Sequence, residues 1–106
     1  MKATRPDEVR KLEDLPNIGK SIAADLRALG IRQPRELARQ EPLAVYRRLA
    51  GVMGERHDPC VLYTLLSVRH FLDCGEARPW WQFAAEGRRL LQHEAPPRPG
   101  RRSGRA

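Results

Sequence analysis

Apolar side chains recur every three or four residues along most of this chain, and Pro or Gly stands between one periodic stretch and the next. This spacing puts the apolar side chains on one face of an α-helix, so it predicts a series of short helices. β-branched and aromatic residues are few, which argues against a sheet. The fold class we predict is all-α, a compact bundle of five to six short helices with a helical hairpin near its N-terminus.

Proline and glycine set the predicted helix ends. Proline fits the first turn of a helix, and glycine fits the position just after the last turn. Pro16 ends the first helix, because a residue before proline is driven out of the α region. The predicted helices cover about residues 6–15, 20–29, a short stretch from 34, 42 to between Gly51 and Gly54, 59–74 and 79–91.

The stretch from Pro59 to Cys74 is the longest predicted helix and the predicted centre of the core. Asp58 and Pro59 fit its N-cap and first position, and Gly75 stops it. Its apolar residues occupy much of the helix circumference, and a helix of that kind is usually buried among others. They are Val61, Leu62, Leu65, Leu66, Val68, Phe71 and Leu72.

The net charge of +7 favours acidic partners, nucleic acid first and an anionic membrane surface second. No signal peptide and no apolar run of roughly 20 residues are present, so we expect a cytoplasmic protein that does not enter a membrane.

The 106 residues suffice for one domain. We predict a helical domain over residues 1–93. Residues 94–106 hold four Arg but no large apolar residue, which predicts a disordered basic tail.

The first two predicted helices are joined by a tight turn, Leu15-Pro16-Asn17-Ile18-Gly19. Pro and Gly are turn residues, and Asn tolerates a positive φ. Two short helices joined in this way form an αα-hairpin.

Several motifs together resemble one family. They are LPNIGKSIAADL from Leu15 to Leu26, Leu29-Gly30-Ile31, Pro42-Leu43 with Tyr46, Asp58-Pro59-Cys60-Val61-Leu62 and Pro79-Trp80-Trp81. Over roughly residues 12–83 the chain resembles the pathogenicity-locus family of small bacterial proteins, also labelled mitomycin-resistance proteins. The resemblance implies a helix-hairpin-helix (SAM-like) fold and a contact with DNA. Tyr63 departs from it, because an acidic residue is expected after Cys60-Val61-Leu62.

In helix-hairpin-helix proteins the backbone amides of the turn grip a nucleic-acid phosphate, so the resemblance implies sequence-independent DNA binding. The first turn of a helix leaves amides without partners and carries partial positive charge, and Gly19 leaves that backbone unshielded. Such contacts read phosphate rather than base. The predicted phosphate-binding residues are Pro16, Asn17, Ile18, Gly19, Lys20, Ser21 and Arg27.

The sequence leaves open how the turn would contact phosphate and whether the fold binds nucleic acid at all. Asn17 stands where the commonest DNA-binding form of the hairpin has Gly, and its side chain either crowds the phosphate or donates to it. The same fold also serves as a protein-interaction scaffold without nucleic acid, so a protein partner is the second hypothesis. The stretch 51–54 is a candidate for a degenerate second hairpin, but Glu55 follows it and we predict a plain loop. A single hairpin implies weak binding, roughly micromolar or weaker.

His57, Cys60, His70 and Cys74 resemble a metal-ligand set at first sight. If residues 59–74 form one helix, the two cysteines lie about 21 Å apart, which excludes a shared ion or a disulfide. His70 and Cys74, four residues apart, are the pair that could share an ion, and two ligands make a weak site. We therefore predict no metal and no cofactor. Cys60 is expected to be a small buried residue, or else a thiol whose pKa the helix N-terminus lowers.

Two further features bear on function. Trp80 fits the inner face of the last helix, and Trp81 is the better candidate for partial exposure, where it could stack on bases. Packing at the core or its rim is the favoured interpretation of both. The chain contains no nucleophile–base–acid set, no phosphate-binding Gly-rich loop and no HExxH motif, so we expect no enzyme activity.

Overall fold

A computed structural model describes residues 3–94, which contain helices and no strand. Within this range the α-helices are α1 (Lys20–Ala28), α2 (Pro34–Ala38), α3 (Pro42–Met53), α4 (Pro59–Cys74) and α5 (Ala84–Glu94). One-turn 3-10 helices lie at Pro6–Glu8, Leu12–Asp14, Gly54–Arg56 and Trp80–Phe83. The all-α prediction is confirmed. The predicted tail lies, after Glu94, outside the described residues, and no described helix is long and apolar enough to span a membrane.

Helix α4 is the centre of the fold, as predicted. The Asp58 carboxylate accepts a 2.7 Å hydrogen bond from the Cys60 amide at its start, and Gly75 adopts a left-handed φ of 80° at its end. All residues from 61 to 68 and Phe71 are buried. Helices α3 and α5 and the 3-10 helix Trp80–Phe83 pack on it. Contact with this helix therefore removes apolar area of several neighbouring elements from water.

The predicted first helix, 6–15, is wrong as a continuous α-helix. It is divided into two 3-10 turns, and the residue between them, Val9, has an extended backbone. Acidic side chains cause the division. Glu8 accepts hydrogen bonds from the backbone amides of Thr4 and Arg5, and Asp14 accepts them from Arg10 and Lys11. Each carboxylate closes its own turn on the amides just before it, a local bond that competes with a continuous helix.

Helix α3 ends within the predicted range, whereas the plain loop predicted for 51–54 and the start of the last helix differ from the prediction. Helix α3 continues through Gly51 to Met53, and Gly54, at a φ of 58°, ends it. The stretch 51–54 is thus the end of a helix followed by a 3-10 turn. The predicted last helix begins as the 3-10 helix Trp80–Phe83 and becomes α-helical only at Ala84.

Helices α4 and α5 approach closely where Gly87 faces Tyr63. A Cβ atom built on Gly87 would lie 2.4 Å from the Tyr63 ring, and that ring is itself buried. Trp80 lies near the same ring, with centroids 6.4 Å apart. A tyrosine at position 63, where an acid was expected from the family pattern, therefore serves as part of the core.

We expect Gly87→Ala to destabilise the protein by about 1–3 kcal/mol, because the added methyl group overpacks the Tyr63 ring. Gly51→Ala is the matched control. Its Cβ meets nothing within 4 Å inside α3, so it should stabilise the protein by about 0.5–1 kcal/mol. Urea unfolding of the two variants measures both effects. A Gly87→Ala variant as stable as Gly51→Ala would contradict the packing described.

Candidate nucleic-acid interface

The turn at Leu15–Gly19 is fixed by buried side chains on its inner side. Leu15 and Ile18 are both fully buried, and the Ile18 amide donates to the Leu15 carbonyl at 3.2 Å. Asn17, between them, has a φ of 71°, the left-handed conformation expected for an asparagine in this position. The turn is therefore rigidly seated, although a single 3-10 turn, Leu12–Asp14, precedes it in place of an α-helix.

The outer side of the turn is the start of α1. Gly19 is its N-cap, with an extended backbone and no side-chain capping bond. The first intrahelical bond runs from the Ala23 amide to the Gly19 carbonyl, so the amides of Lys20, Ser21 and Ile22 precede it. Gly19, Lys20 and Ser21 are exposed, and a Cβ atom built on Gly19 would meet nothing within 4 Å. The helix thus presents an uncovered backbone at its positive end.

The Asn17 side chain turns away from this outer side and bonds to α4 and to the segment after it. Its amide nitrogen donates to the Ser67 hydroxyl at 2.8 Å and to the Arg78 carbonyl at 3.0 Å. The Ser67 hydroxyl also donates to the Arg78 carbonyl, at 2.6 Å. The Asn17 side chain ties the turn to α4 and to the segment before Trp80.

Arg27 is held by Glu13 on the preceding 3-10 turn. Its two terminal nitrogens donate to the two carboxylate oxygens at 2.7 and 2.8 Å. This bidentate contact joins α1 to Leu12–Asp14 and offsets the charge of Arg27. Of the predicted phosphate-binding residues, Gly19, Lys20 and Ser21 therefore share the exposed start of α1, whereas Ile18 and the Asn17 side chain face inward.

Arg56 is a member of the site that the sequence did not indicate. It donates to both oxygens of the Asp25 carboxylate at 3.1 Å and to the Ser21 hydroxyl at 3.0 Å. Arg56 and Ser21 are 35 residues apart in the sequence, so no local sequence pattern predicts their contact. Ser21 accepts this bond and retains its own O–H as a donor. Lys20 forms no ion pair with any residue in the range 3–94.

The cysteines and tryptophans lie elsewhere. Cys60 is exposed, and partial desolvation together with the Asp58 carboxylate raises the pKa of its thiol, so both expectations for it are wrong. Trp81 is 61% exposed while Trp80 is half-buried, which confirms Trp81 as the more exposed of the two and contradicts rim packing for it. The His57 ring stacks on the Tyr46 ring.

Comparison with known proteins gives two matches. The family model described as "Pathogenicity locus" matches residues 5–89. The "Mitomycin resistance protein McrB" of Streptomyces lavendulae is 36% identical over 93 residues, which cover 88% of this chain and 89% of that protein. No solved structure matches the chain significantly.

The Asn17 network predicts a measurable coupling between the turn and α4. Asn17→Gly keeps the left-handed backbone but loses both amide bonds, and Ser67→Ala removes the shared hydroxyl. We expect each change to cost about 1–2 kcal/mol. The double variant should cost less than the sum, measured as a double-mutant cycle in urea. Strictly additive effects would show that the two side chains do not act together.

The Arg27–Glu13 contact predicts a dependence of stability on pH. Hydrogen bonds from Arg27 lower the pKa of Glu13 from its ordinary 4.5 to about 2. A lowered pKa in the folded state stabilises the protein above pH 4.5, and this stabilisation is lost as the pH falls from 4.5 to 2. Glu13→Gln should flatten the stability curve in that window, measured by urea midpoints. A slope equal to that of the parent would contradict the contribution of Glu13.

Proposed function

The chain belongs to the pathogenicity-locus family, and we propose that it binds DNA weakly and without sequence preference through the start of α1. The observation that carries this proposal is the uncapped, exposed N-terminus of α1 at Gly19. Helix N-termini bind phosphate because free amides and the helix dipole act together there. This proposed function is the one that the resemblance of the turn to a helix-hairpin-helix implies. It would require the protein to be in the cytoplasm, where it can meet DNA.

Charge around the helix start supports an anionic ligand. Lys20 stands at the first helical position, and Arg56 lies against Ser21 in the same first turn. Two acids on α1 and the turn before it, Asp25 and Glu13, are each paired with an arginine. The local field at the helix start therefore comes mainly from the dipole and from Lys20, while Arg27 contributes little beyond its pair with Glu13.

The small number of groups at the site sets the strength and kind of binding. Backbone amides and a lysine read phosphate and carry no base information, so any DNA sequence should serve. Non-specific binding of this type has a dissociation constant on the order of 10⁻⁴ to 10⁻⁶ M, and each neutralised phosphate adds about one unit to the salt slope. We assign no catalytic step to the site.

The first test changes Gly19 and measures binding and stability together. Gly19→Asp places a carboxylate that caps the free amides itself, so it should stabilise the protein by a few tenths of a kcal/mol, roughly the N-cap difference between Asp and Gly. The same carboxylate occupies the phosphate position and repels DNA. We expect DNA affinity to fall at least about tenfold. Fluorescence anisotropy with a labelled duplex and a labelled single strand, at two salt concentrations, measures it. Unchanged affinity would overturn the proposal.

The second test separates the site from general basicity. Lys20→Ala should reduce the salt slope by about one, as expected when one phosphate contact is lost. Lys20→Glu changes the net charge by −2, and Arg89→Glu makes the same change on α5, which packs on α4. The α5 variant should bind nearly as the parent does. If both charge reversals weaken binding equally, net charge rather than the helix start is responsible.

The third test concerns residues 95–106. A variant that ends at Glu94 loses four arginines but keeps the whole described structure. We expect it to bind somewhat more weakly and to remain sensitive to Gly19→Asp. If truncation alone abolishes binding and Gly19→Asp has no effect, the basic tail binds DNA and the start of α1 does not.

A protein-interaction module is the second candidate function, and the exposure of Trp81 favours it. An indole that is 61% exposed is unusual on a soluble domain and typical of interface hot spots. The two candidates differ in their expected results. A module of this kind would show no DNA affinity at low salt, and its partner would be retained by Gly19→Asp and lost with Trp81→Ala.

A further inference from the structure

Three different metal-ligand groups meet at the C-terminal end of α4. His70 and Cys74 lie one helical turn apart, and Glu76 follows the left-handed Gly75, which turns the chain back toward the helix. One ligand atom from each lies within 4.8 Å of the others. The sequence alone indicated the His70 and Cys74 pair. The third ligand becomes apparent only through the reversal at Gly75.

The distances between the three side chains are close to those of a metal site. His70 Nε2 lies 2.9 Å from Glu76 Oε1 and 3.3 Å from Cys74 Sγ. Ligands about 2.0–2.3 Å from a tetrahedral zinc ion are roughly 3.3–3.6 Å apart. The third distance, between Cys74 and Glu76, is at most 4.8 Å, so an ion could enter with side-chain shifts of up to roughly 1 Å.

The surroundings hold the three groups in place. The Phe83 ring packs on the His70 imidazole, with centroids 5.6 Å apart. The Glu76 carboxylate also accepts from Arg78 Nε at 3.1 Å, so it is oriented by a second neighbour as metal-bound carboxylates commonly are. His70 and Cys74 line a cleft of about 380 Å³, which has room for a water as fourth ligand.

We propose that His70, Cys74 and Glu76 bind one divalent ion of borderline softness, with zinc the best fit to nitrogen, sulfur and oxygen ligands. Catalytic zinc sites have three protein ligands and a water in the fourth position, whereas structural zinc sites have four protein ligands. The three ligands here match the first arrangement. On binding, the cysteine gives up its thiol proton and His70 coordinates through Nε2 with its proton on Nδ1. The metal site uses none of the residues proposed to bind DNA, so the two proposals are independent.

Cobalt titration of the untagged full-length chain, kept reduced with a phosphine, tests the proposal. The parent should show a thiolate-to-cobalt charge-transfer band and visible bands of a tetrahedral site, saturating at one ion per chain, and zinc should displace the cobalt. Cys74→Ser should lose the charge-transfer band. His70→Ala and Glu76→Gln should each weaken cobalt affinity at least about tenfold.

Cys60→Ser is the matched control, because Cys60 is the other exposed cysteine and lies at the opposite end of α4. It should bind cobalt as the parent does. Zinc should also raise the melting temperature of the parent and of Cys60→Ser by several degrees, and leave that of Cys74→Ser unchanged. Absence of the band in the parent, its loss in Cys60→Ser, or saturation at one ion per two chains would each overturn the proposal.

Discussion

The burial of α4 is the constraint on which the rest of the structure depends. A helix whose residues are covered almost all round must be enclosed by other elements, and the short helices before and after it supply that cover. The close approach at Gly87 shows how tight the enclosure is on one side. Within residues 3–94 none of the other helices exceeds 12 residues, so each depends on tertiary packing rather than on its own propensity. Helices α3 and α5 pack on α4, and α1 packs on α3.

The hydrogen bonds among Asn17, Ser67 and Arg78 connect the buried helix α4 to the candidate site. Ser67 is fully buried on α4, and it fixes both the Asn17 side chain and the Arg78 carbonyl. The start of α1 is thereby oriented by the core helix rather than by a partner helix before the turn. This explains how the turn keeps its geometry although only a 3-10 turn, and no α-helix, precedes it. It also places the exposed Trp81 three residues beyond the same anchor point.

The parts that sequence predicted well are those fixed by local chemistry. Asp58, Pro59 and Gly75 set both ends of α4 in the predicted places, and the left-handed φ of Asn17 follows from its residue type in a turn. The failures involve partners distant in sequence or competing local bonds. Glu8 and Asp14 divide the predicted first helix, and the pairing of Arg56 with Asp25 and Ser21 leaves no trace in a linear pattern. The direction of the Asn17 side chain was undecidable for the same reason, because both of its partners lie 50 or more residues away.

The many arginines also mean less for DNA binding than their number suggests. Arg48 donates to the Leu29 carbonyl at the end of α1, and Arg69 donates to the Gln40 carbonyl after α2, so both satisfy backbone acceptors at helix ends. Further arginines are paired with acids. The fold therefore uses part of the basic composition internally, and a phosphate site needs a positive side chain at a place where backbone amides are also free. The start of α1 is such a place, since a capping Ser, Thr or Asp at position 19 would stabilise the helix and yet glycine stands there. The glycine leaves the first amides of α1 without a side-chain partner, which is the feature on which the proposed phosphate binding depends.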